Sequence, residues 1–78
     1  MTMEFIGNFR AIEFKSADEA IQHANASGRG EAILLGGRHY VMEQAEIDRL
    51  TAAGVGFAHL IVHEMPDGTE RVMTVPVN

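Results

Sequence analysis

Residues 56–77 read GFAHLIVHEMPDGTERVMTVPV. Two apolar runs flank Pro66-Asp67-Gly68, where proline presets the backbone of a turn and glycine takes its left-handed position. A long β-hairpin is expected. A three-residue loop sets Met65 opposite Thr69, Val62 opposite Val72, Ile61 opposite Met73 and His59 opposite Val75. Alternate positions are apolar on both faces, so a sheet containing this hairpin needs two covers.

Upstream, Glu31 to Leu35 and Arg38 to Met42 flank Gly36-Gly37, the signature of a tight two-residue hairpin. That turn pairs Leu35 with Arg38, Leu34 with His39, Ile33 with Tyr40 and Ala32 with Val41. Between the two hairpins, Glu43 to Ala53 reads as a helix with acids early, Ile47 and Leu50 as apolar anchors, and Gly54 as its stop. An earlier helix starts at Ser16, whose third successor is Glu19, a capping-box pattern. Its apolar positions Ala17, Ala20, Ile21 and Ala24 recur at helical spacing, and Gly28 suits its C-terminal end. At the start of the chain, Met3 to Ile6 and Phe9 to Lys15 flank Gly7-Asn8, a third hairpin signal.

The chain also echoes itself. Shifted by 26 positions, Ile21, Ala26, Gly28, Gly30, Ala32 and Leu34 fall on Ile47, Ala52, Gly54, Gly56, Ala58 and Leu60. Duplication and convergence on one helix-exit chemistry explain this equally well. Either way, the 78 residues read as one domain: an opening hairpin over 3–15 and two helix-plus-hairpin units over about 16–42 and 43–77. The fold class is α+β, with a mostly antiparallel sheet, element order ββαββαββ, and both helices packed on one sheet face.

The echo sorts the sheet residues into two sets. One face carries Ala32, Leu34, Val41, Ala58, Leu60, Val62, Val72 and Thr74, which are slim and suit close approach of an alanine-rich helix. The other carries Ile33, Leu35 and the candidate interaction face, namely Tyr40, Met42, Phe57, His59, Ile61, His63, Arg71, Met73 and Val75. Tyr, Met, Phe, His and Arg on one surface are typical of protein contacts, because they combine contact area with a polar handle. The opening hairpin, with Phe5, Ile6, Phe9, Ile12 and Phe14, or a second copy of the chain is expected to cover this face.

Composition narrows the function classes. Net charge is −5, and the six basic residues are dispersed, which disfavours direct nucleic-acid binding because phosphate neutralisation needs clustered cations. There is no cysteine, hence no disulfide framework or thiolate metal site. No apolar run approaches the roughly 20 residues that span a bilayer, and no secretory signal is visible, so a cytoplasmic location is expected.

No motif identifies a reaction, and no catalytic residue, cofactor or metal site is assigned. His59 and His63 are four apart with Glu64 following, but an extended strand separates such positions by roughly 13 Å. They cannot share one ion there. Gly28-Arg29-Gly30 follows a helix, whereas phosphate cradles precede one. Arg38 and His39 after the Gly-Gly turn are an anion contact at most, and ordinary strand-start residues otherwise. Three readings of function follow. The first is a small non-catalytic interaction module, homodimeric or binding another protein through the bulky face or an edge strand. The second is an acidic inhibitor of a nucleic-acid-processing protein, using Glu43, Glu46, Asp48, Glu64, Asp67 and Glu70. The third is a metal-binding domain or enzyme using His39, His59, His63 and Glu64.

Overall fold

The computed structural model describes residues 2–6 and 9–77. Its elements run β1 (Thr2–Ile6), β2 (Phe9–Phe14), α1 (Ala17–Ser27), β3 (Glu31–Leu35), β4 (Arg38–Met42), α2 (Gln44–Ala52), β5 (Phe57–Glu64) and β6 (Glu70–Val77). The strands form one antiparallel sheet in the order β1-β2-β4-β3-β5-β6. The Gly7-Asn8 turn lies outside the described residues, but the strands it joins pair with each other and β2 pairs with β4. The opening hairpin therefore extends the sheet and does not lie across it.

Local chemistry places the helices. Ser16 Oγ accepts the Glu19 amide at 3.2 Å, and Gly28 closes α1 at φ +65° with its N–H on the Ala24 carbonyl. The expected capping box is displaced by one residue: the Glu19 carboxylate accepts from the Lys15 amide at 3.2 Å. α2 starts without such help, since Glu43 at its N-cap makes no side-chain cap bond. Both later hairpins adopt the registers expected from their turns, with Ile33 opposite Tyr40 and Ile61 opposite Met73.

Two cores result. Ala20 and Ile21 of α1 pack with Ala32, Val41 and Leu60, while Ile47 and Leu50 of α2 pack with Ala11, Ile33, Tyr40, Met42 and Phe57. Ala32 and Ile33 are consecutive in β3 and therefore point to opposite faces. The helices thus lie on opposite sides of the sheet, which corrects the expectation that both share one face. The physical reason is side-chain size. The alanines of α1 fit the slim face, whereas Ile33, Tyr40 and Met42 need a cover of their own, at about 1.5–3 kcal/mol for each large apolar side chain buried. Ile47 and Leu50 supply it.

Candidate functional site

The helices cover the middle of the sheet and leave its β5–β6 side open. β3 meets β5 at Ile33–His59 and Leu34–Ala58. Continuing that register sets Glu31 opposite Ile61, so Val62, His63 and Glu64 run past the first residue of β3. The outer part of the hairpin projects beyond its neighbour. Ile61, Val62, Val72, Met73 and Val75, all on this hairpin, are the exposed large apolar side chains among the described residues, each 38–46% exposed.

The nine residues of the expected interaction face divide accordingly. Tyr40, Met42 and Phe57 are buried under α2 and belong to the core, so they are not part of an open surface. His59 stands at the boundary: it is half-buried, its Nδ1 lies 3.1 Å from Glu31 Oε2, and its ring meets Phe57 edge-on at 5.5 Å. Val75 is exposed directly opposite it and Ile61 and Met73 beyond it, with His63 opposite Arg71 on the same face. Val62 and Val72 add an exposed apolar pair on the opposite face. As slim side chains they are expected to pack under a helix. However, the buried cluster under α1 includes Leu60 and not Val62.

The turn is rigidly specified. Met65 N–H donates to the Thr69 carbonyl at 2.7 Å, and Gly68 N–H, at φ +89°, donates to the Met65 carbonyl at 3.0 Å. Asp67 Oδ1 accepts from the Thr69 hydroxyl at 2.6 Å and from its amide at 3.0 Å. Those two bonds, the hydroxyl first, hold the Asp67 carboxyl below its ordinary pKa.

The Met65–Thr69 bond also fixes which way the β6 backbone points. Hydrogen-bonded and non-bonded pairs alternate along an antiparallel ladder. Thr69, Arg71, Met73, Val75 and Val77 therefore turn their peptide groups toward β5, and Glu70, Val72, Thr74 and Pro76 turn theirs outward. Pro76, which has no N–H, falls on the outward set. Among the described residues no strand pairs with that outer edge.

Glu46 ties α2 to β2: one carboxylate oxygen accepts from the Arg10 amide at 2.8 Å and the other from Arg49 Nη1 at 2.9 Å. The Arg10 amide is the main cause of its lowered pKa, with Arg49 assisting. The guanidinium of Arg49 also lies 5.1 Å over the Phe9 ring. A cavity of about 150 Å³ is lined by Arg10, His23, Arg29, Glu43 and Glu46 among others, and its mixed charges include that already engaged carboxylate. A shallower groove of about 410 Å³ lies where β5 outruns β3, between Ile21, Asn25, Glu31, His59, Ile61 and Val75.

The groups named for the other readings are dispersed. Strand parity and pairing put His39 on the α1 side with Leu34, and His59 and His63 on the α2 side with Ile33. Among the described residues no three His, Asp or Glu side chains come together as a metal-binding group. The six acids fall into two sets, one at the start of α2 and its N-cap, the other around the β5–β6 turn. No helix is long and apolar enough to cross a membrane, among the described residues. Comparison with protein-family models, with curated proteins and with solved structures gives no match.

Proposed function

We propose that this protein is a small interaction module that self-associates through the projecting β5–β6 hairpin. One observation carries this reading: the exposed large apolar side chains of the described chain all lie on that hairpin, on both of its faces, next to an unpaired strand edge. Ordinary surface strands alternate apolar with polar residues. Here Ile61 and Met73 form one apolar cross-strand pair, and Val62 with Val72 forms another on the opposite side. A protein partner that dehydrates them gains the burial that the chain's own helices do not provide.

Sedimentation of the purified protein across a range of concentrations tests the reading. The expected result is a dimer that dissociates on dilution, with Met73→Glu weakening association at least tenfold, equivalent to about 1.4 kcal/mol. A wild-type protein that stays monomeric throughout, or a Met73→Glu protein that associates as well as wild type, overturns it.

A further inference from the structure

Resting on that reading, we infer that the second copy docks by its own β6, edge to edge and antiparallel, with the two-fold axis at Val72. The outward peptide groups of Glu70, Val72 and Thr74 form a short self-complementary ladder. With Val72 opposite its copy, Glu70 falls opposite the other chain's Thr74, and every outward N–H of these residues meets a carbonyl. Pro76 then lies opposite the turn residue Gly68, just beyond the last bonded pair. The missing N–H of Pro76 forfeits nothing in this arrangement.

Neighbouring registers are worse for identifiable reasons. Cross-strand partners in an antiparallel ladder share a face, so a symmetric register changes in steps of two. One step toward the end of β6 sets Pro76 against Glu70 and removes a donor from each side. One step the other way sets Arg71 against its own copy, a direct contact of like charges. In the Val72-centred register Arg71 instead meets Met73, and the two Val72 side chains meet each other.

Edge pairing also answers the two-faced apolarity that face-to-face packing leaves half exposed. A partner strand beside β6 contacts Val72 on one side of the sheet and Met73 on the other at the same time. The product is one continuous sheet of two copies, with β1 of each chain at its outer margins.

The chain lacks cysteine, so introduced thiols report without background. In a non-bonded antiparallel pair the Cα atoms are about 4.5 Å apart and the side chains are closest, within the disulfide range of about 4.4–6.8 Å, and Arg71 opposite the other chain's Met73 is such a pair. Under mild oxidation Arg71→Cys mixed with Met73→Cys is expected to give a covalent dimer. Each of the two is expected to stay reduced alone, because its opposite number in the other copy is not a thiol. Val72→Pro, which removes an outward N–H on an edge strand, where proline is tolerated, is expected to keep the native circular dichroism and lose the dimer. A dimer in which Arg71→Cys and Met73→Cys fail to cross-link when mixed, and which survives Val72→Pro, overturns the edge pairing while leaving self-association intact. A monomeric wild-type protein overturns both.

Discussion

The two helix-plus-hairpin units, α1-β3-β4 and α2-β5-β6, are built from the same local devices and end in different environments. Each has a helix with a short apolar stripe, a left-handed glycine at its exit (Gly28 at φ +65°, Gly54 at φ +75°) and a hairpin apolar on both faces. The first hairpin lies in the middle of the sheet, between β2 and β5, with α1 on one side and α2 on the other. Its Ile33 and Met42 are buried. The second lies at the margin, reaches past its only inner neighbour, and keeps cover only at its base, where Phe57 and Leu60 are buried. Burial is therefore set by place in the sheet and not by the pattern of a strand. A two-faced apolar strand is a core strand at the centre and a contact surface at the edge.

The largest effects come from truncating a central side chain, the smaller counterpart from truncating a marginal one. Ile33→Ala or Leu50→Ala removes a fully enclosed group and is expected to lower unfolding free energy by about 2–5 kcal/mol. Met73→Ala, measured at a concentration where the chain is monomeric, is expected to change it by no more than about 0.5 kcal/mol. Urea titration of the three variants checks this; a Met73→Ala loss matching that of Ile33→Ala would erase the distinction between the two hairpins.

A smaller effect separates glycines that share a backbone conformation. Gly30 has φ +80°, and a Cβ built there comes to 2.6 Å from the Met42 carbonyl oxygen, whereas Gly54 at φ +75° faces open space. Gly54→Ala is expected to cost roughly 1–2 kcal/mol from backbone strain alone. Gly30→Ala adds a clash with a backbone atom that cannot rotate away, on the order of 1–3 kcal/mol more. Equal losses in thermal unfolding would mean that the close approach of Gly30 to β4 does not support the central unit.

The smallest effect concerns the helix starts. Ser16→Ala removes the bond to the Glu19 amide and is expected to cost about 1 kcal/mol, while Glu43→Ser supplies a cap that α2 lacks and is expected to add up to about 1 kcal/mol. For a chain of this size each corresponds to a melting shift of roughly 4–8 °C, in opposite directions. Shifts of the same sign would show that the two helices do not differ in the way their caps do.

Local structure is legible along the chain, because local rules govern it. Turn chemistry at Gly36-Gly37 and Pro66-Asp67-Gly68 set both later registers, and register with strict alternation sorted the sheet residues into a slim and a bulky set. Ser16 and Gly28 bounded the first helix for the same reason. The size of Ile47 and Leu50 was a readable sign that α2 suits the bulky face, but the internal echo with alanine-rich α1 pointed the other way. Which helix takes which face, the joining of β2 to β4, and the place of β5–β6 at the margin are properties of the assembled sheet. These depend on competition among distant segments for the same apolar surface, which no local spacing records. The outward position of Pro76 belongs to both levels. The residue is in the sequence, but its meaning as the end of an open edge depends on β6 having β5 on one side only.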